Sequence, residues 1–158
     1  MADERRRRRL AVGAGDGDER RVRRMAAEMQ EKSGAPPVVI SLHSFTPSMS
    51  GRARPWHVGI LWDKDPRAAM PLIEMLRAEP GLIVGDNEPY DGALHGDTLH
   101  EICTSQGMAH ALIEVRQDLI VSGAGIEDWA QKLAPMLSAL IALPGIREIQ
   151  HFGSRAMP

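Results

Sequence analysis

Four short apolar runs, VVISLH (38–43), WHVGILW (56–62), LIVGD (82–86) and HALIEVRQ (110–117), set the terms on which this chain can fold. Each has the length and β-branched content of a strand, and none alternates cleanly between apolar and polar residues. Such strands are buried on both faces. Between them the period changes to that of helices. Val22, Met25, Ala26 and Met29 follow Asp18, a candidate N-cap, and Gly34 with Pro36 and Pro37 ends that segment. Asp65 and Pro66 open a second helix with Ala69, Leu72, Ile73 and Leu76 on one face, and Pro71 is expected to disturb its second turn. A short helix is expected over Thr98 to Gln106, closed by Gly107. A long one carries Ile126, Trp129, Leu133, Met136, Leu137, Leu140 and Ile141 as a single stripe. Strands alternating with helices predict an α/β fold, a three-layer sandwich around a mixed, mostly parallel sheet.

At 158 residues and 43% hydrophobic side chains the chain suits one modest core. It has no apolar run approaching the roughly twenty residues of a membrane span. One cysteine, Cys103, excludes an internal disulfide framework, and the start of the chain lacks the apolar segment of a secretory signal, so a cytoplasmic setting is expected. Arg5 to Arg9 and the AVGAGDGD stretch after them have no apolar periodicity. Residues 1–17 therefore read as a disordered basic arm, 18–143 as the folded domain and 144–158 as a tail. Residues 1–32 hold ten Lys and Arg against seven Asp and Glu, and the remainder nine against fourteen. A mildly acidic body, with no aromatic residues interleaved in the arm, argues against nucleic acid as the partner.

In α/β sheets ligands collect beyond the carboxyl ends of strands, which is where His43, Glu114 and Arg116 fall. Within an extended strand Glu114 and Arg116 share one side, away from Ile113 and Val115, so a carboxylate and a guanidinium face one space. On spacing alone, a structural ion pair and a core histidine account for the same pattern. Ser44 lacks a nucleophile elbow, and Cys103 has no basic cluster beside it. Glu148 and His151 have the i, i+3 spacing of two metal ligands on a helix, but chance suffices to explain it in a tail. Trp56 and His57 either line a pocket or mark an edge of the core.

Taken together, SLHSFTP, GRARPWHVGILWDKDPR, EPGLIVGDNEPY and IEVRQDLI, in this order between Pro37 and Leu143, resemble the C-terminal half of the N-formylglutamate amidohydrolase family. The resemblance implies a fold related to zinc carboxypeptidases and to succinylglutamate desuccinylase and aspartoacylase enzymes. It also implies zinc as the cofactor, with His43 a zinc ligand and Glu114 the acid/base residue. The substrate it implies is a small N-acyl amino acid such as N-formylglutamate, in the chemistry of histidine catabolism. Arg52, Arg54, Asn87, Tyr90 and Arg116 are then candidates to bind the substrate's carboxylates or the developing oxyanion.

The family's N-terminal half supplies a HAG or HSG segment with further metal ligands, and no histidine precedes His43. The chain is therefore expected to be a truncated member with the N-terminal part of the fold missing. By itself it should bind zinc weakly and turn over little substrate unless His57 or His95 completes the site. An alternative is a non-catalytic remnant, an interaction module acting through an exposed sheet edge or the arginine arm. That edge is expected to lead to self-association.

Overall fold

The computed structural model describes residues 16–156. The expected basic arm, all but its last two residues, lies outside them. Helix α1 (Asp16–Ser33) starts two residues before the cap expected at Asp18. It ends at Gly34, whose φ of 72° needs no β-carbon and whose amide donates to Gln30 O at 2.8 Å. Strand β1 (Val39–Phe45) follows, then a small antiparallel hairpin of β2 (Ser48–Met49) and β3 (Arg52–Ala53), and then β4 (Val58–Leu61). Ser50 and Gly51, both at positive φ, turn the hairpin. Helix α2 (Pro66–Ala78), strands β5 (Val84–Asp86) and β6 (His110–Arg116), and helix α3 (Gly123–Ile141) complete the order.

The four longer strands form one sheet in the order β1-β6-β4-β5. β1 and β6 are parallel, as are β4 and β5, and the two pairs meet antiparallel between β4 and β6. The sheet is mixed and mostly parallel, as the sequence predicts. Ile60, Val58, Ala111, Ile113 and Val115 point to one face, where Leu72, Ile73 and Leu76 of α2 and Trp129, Leu133, Met136 and Leu140 of α3 close the main core. On the opposite face, Ala26 of α1 packs with Ile102, Cys103 and Met108, and Val39 joins them from the sheet. The helices thus form outer layers on both sides, giving the expected three-layer arrangement.

Caps follow the sequence. Asp65 accepts the Arg67 amide at 3.0 Å ahead of α2, and Ser122 accepts that of Gly125 at 3.1 Å ahead of α3. α2 runs on through Pro71, because one missing amide costs less than the burial of Ala69, Leu72, Ile73 and Leu76 on the sheet gains. The short helix expected from Thr98 is present and ends before Gly107, but over His100–Thr104 it is a widened π turn, which brings both Ile102 and Cys103 into the smaller core. Burial there pushes the Cys103 thiol up to about 12. Residues 144–156 are irregular but attached. Ile146 is buried, the Gln150 amide bonds Gly107 O at 2.9 Å, and Arg155 reaches Asp63 and Asp91. Glu148 and His151 do not share a helix.

Among the described residues β1 pairs with β6 alone and forms an edge of the sheet. Leu42, on the helix-covered side of that edge, is 62% exposed. An apolar residue on an edge strand favours pairing with another chain. The purified protein is expected to associate at protein concentrations on the order of tens of micromolar, and Leu42→Lys to reduce that association. Sedimentation velocity checks this, and a wild-type monomer across that range would show that the edge is adequately protected. A second expectation concerns Cys103: in the native protein it should resist thiol reagents at pH 8, and labelling should follow unfolding.

Candidate active site

The register of the sheet brings the candidate residues together. His43 of β1 stands directly opposite Glu114 of β6, Glu114 stands opposite Gly59 of β4, and Gly59 opposite Gly85 of β5. Register partners share a face, so His43, Glu114, Gly59 and Gly85 form one row across all four strands. The row lies on the face away from the main core, two residues short of the carboxyl ends of β1 and β6. Glu114 is 4% exposed, whereas His43 is open to solvent and its Nε2 lies 3.0 Å from Ser41 Oγ on the same side of the strand. A buried carboxylate and an accessible imidazole therefore sit side by side.

Two residues further along that face is Phe45, the last residue of β1. The Arg54 guanidinium lies over its ring at 5.8 Å from the centroid and over that of Tyr90 at 4.9 Å. Arg54 is 8% exposed, and its Nη1 donates to Tyr90 Oη at 3.1 Å, Thr46 Oγ1 at 3.2 Å and Thr46 O at 3.4 Å. Its Nη2 meets Met49 Sδ at 2.9 Å. None of these partners is a carboxylate, so a nearly buried positive charge is held by neutral groups. That environment suits an incoming anion.

Tyr90 arrives on the loop after β5. Asn87, at a φ of 52°, donates its amide to Ile60 O at 2.9 Å, and its Oδ1 accepts the amides of Trp62 at 2.9 Å and Gly92 at 3.0 Å. Asn87 thus ties the loop to the end of β4. Arg116 is turned toward Asp118, at 2.7 Å, and its Nη1 reaches the carbonyls of Arg54, Pro55 and Trp56, each at 3.3 Å. The charge pair sharing a site with Glu114 that spacing suggested is therefore an Arg116–Asp118 pair, and the Arg116 guanidinium holds the Asp118 carboxyl below its ordinary value. Arg52 is exposed on β3. His57 accepts the Ile83 amide on Nδ1 at 2.8 Å, and His95 lies against the ring of His100 at 5.0 Å.

Thr46, Met49, Gly59 and Gly85 were not singled out from sequence. A glycine inside each of two apolar strands, WHVGILW and LIVGD, was the available signal, since it marks close approach of another backbone. Thr46 and Met49 gave none, because contacts across a hairpin depend on its fold.

For a catalytic zinc the described residues are not sufficient. No three His, Cys, Asp or Glu side chains among them gather as a metal site, and three protein ligands are the usual minimum. His43 is a single exposed imidazole beside Glu114.

The two arginines should respond differently to removal of charge. Arg116→Met deprives three carbonyls and Asp118 of a donor and is expected to lower stability by about 2 kcal/mol. Arg54→Met removes a buried cation with no acidic partner among the described residues and is expected to leave stability unchanged or raise it. Thermal unfolding of the two variants checks the order, and equal losses would mean that Arg54 serves chiefly to hold the fold.

A family model for N-formylglutamate amidohydrolase matches residues 19–121. Among solved structures, the crystal structure of gene product Atu2144 from Agrobacterium tumefaciens is similar, with 32% sequence identity and a TM-score of 0.68. The match covers 77% of this chain and 48% of that one, so this chain spans about half the length of its structural relative. No curated protein matches. The family match takes in both strands that carry His43 and Glu114, the Arg54 hairpin and the Tyr90 loop, and the chain belongs to the N-formylglutamate amidohydrolase family.

Proposed function

We propose that the chain carries the acid/base and carboxylate-binding part of a hydrolase site acting on the amide bond of an N-acyl amino acid such as N-formylglutamate. The observation that carries this reading is the in-register pairing of His43 with a buried Glu114 at the carboxyl end of parallel strands, in a chain of this family. Glu114 takes a proton from the water that attacks the acyl carbon. As the carbon–nitrogen bond breaks, it passes that proton to the departing nitrogen, leaving a carboxylic acid and a free amine. A carboxylate held rigidly by a central strand is already oriented for both transfers.

Arg54 and Tyr90 supply the substrate's carboxylate site in this reading. Arg52, at the exposed rim of the hairpin, offers a second positive charge, while Asn87 and Arg116 hold the loop and hairpin in place. Zinc belongs to the proposal as a cofactor with His43 as one ligand. The remaining donors come from outside the described residues, and no step above is routed through the metal. Among the described residues no helix is long and apolar enough to cross a membrane.

Formate release from N-formyl-L-glutamate, measured with added zinc, tests the assignment. Activity of the chain is expected to be low, and Glu114→Gln should reduce it by about a hundredfold. Zinc binding followed by calorimetry should be weak and should weaken further in His43→Ala. Equal hydrolysis by the wild type and Glu114→Gln would remove Glu114 from the chemistry.

A further inference from the structure

Gly59 and Gly85 are neighbours on the face that carries Glu114, and the backbone of Glu88 occupies the space where their side chains would be. A β-carbon on Gly59 would stand 1.9 Å from the Glu88 carbonyl oxygen, and one on Gly85 would stand 2.5 Å from it. Neither glycine is at positive φ. What the site uses is their lack of a side chain, and not their conformational freedom. The loop can settle onto the sheet only because both are glycine. Asn87 locks it there through three hydrogen bonds to Ile60, Trp62 and Gly92.

Two residues beyond the seated carbonyl is Tyr90, whose hydroxyl and ring both meet Arg54. Thr46 and Tyr90 share Nη1 of that guanidinium, and among the described residues Nη2 meets the thioether of Met49, a weak acceptor. A ligand carboxylate is a far stronger acceptor for the same edge. We propose that Gly59 and Gly85 are positioning residues: by seating the Asp86–Tyr90 loop against the sheet they set Tyr90 on Arg54 and aim its guanidinium at a ligand carboxylate. This rests on the reading of Arg54 as the carboxylate receptor and adds what holds it in place. It also explains why two adjacent strands both give up a side chain beside Glu114.

The test is titration of the whole chain with N-formyl-L-glutamate, followed by calorimetry and by the side-chain Nε–H resonance of Arg54. Wild type should bind and Arg54→Ala should not. Tyr90→Phe and Gly85→Ala are each expected to weaken binding by about tenfold and to shift the Arg54 resonance in the free protein, a change that general destabilisation would not produce in a folded sample. If Gly85→Ala does not fold, Asn87→Ala, which unties the same loop without touching Arg54 or Tyr90, decides in its place: weakened binding with a shifted Arg54 resonance supports the positioning role, and wild-type behaviour overturns it. Wild-type affinity and an unmoved Arg54 resonance in the variants, with binding still lost in Arg54→Ala, would overturn the positioning role alone. Absence of binding by the wild type would overturn the Arg54 assignment and this inference with it.

Discussion

Everything at the site depends on the pairing of β6 with two neighbours of opposite sense. It runs parallel to β1 and antiparallel to β4, and both registers are met at Glu114, which faces His43 on one side and Gly59 on the other. A slip of one residue in either pairing would turn the apolar set of β6 away from α2 and α3. The burial of Ala111, Ile113 and Val115 therefore fixes the placement of Glu114 on the opposite face. The core and the site are two consequences of one alternation.

That opposite face is unevenly covered. α1 and the π turn shield the start of β1 and β6, where Val39 meets a small apolar cluster, while the far end carries an acid, an imidazole and a guanidinium. Keeping charge in a nearly buried setting is costly, and neutral neighbours such as Thr46, Met49 and Tyr90 offset only part of it for Arg54. By contrast Arg116 has a carboxylate and three carbonyls and needs nothing further. Two arginines equally prominent in the sequence thus have different electrostatic situations.

The strands and main helices were legible because their signals are local: continuous apolar runs, an Asp-Pro helix start, and an apolar stripe along α3 that packs on the core from Trp129 to Leu140 while Ile126 and Ile141 at its ends are exposed. The membership of His43 and Glu114 in one neighbourhood was legible through the family resemblance, and their exact opposition required the register. Arg116 could not be read correctly from alternation, because its long side chain reaches the backbone carbonyls between β3 and β4 and is drawn back by Asp118, two positions away in a turn. The π turn was hidden for a similar reason. Its extra width follows from fitting Ile102 and Cys103 against Met108 and against Ala26, which is about half the chain away.

The pairing of β1 with β6 has a consequence for how the protein is made. Among the described strands of the sheet β1 comes first in the chain and β6 last, so the partner that β1 meets along its length follows only after the hairpin, β4, α2 and β5. Closing so long a loop is entropically slow. Until it closes, VVISLH has no strand partner among the described residues and Glu114 does not yet stand opposite His43. Folding and assembly of the site are therefore one late event, and the nascent chain passes through its most aggregation-prone stage while the residues of its chemistry are still apart.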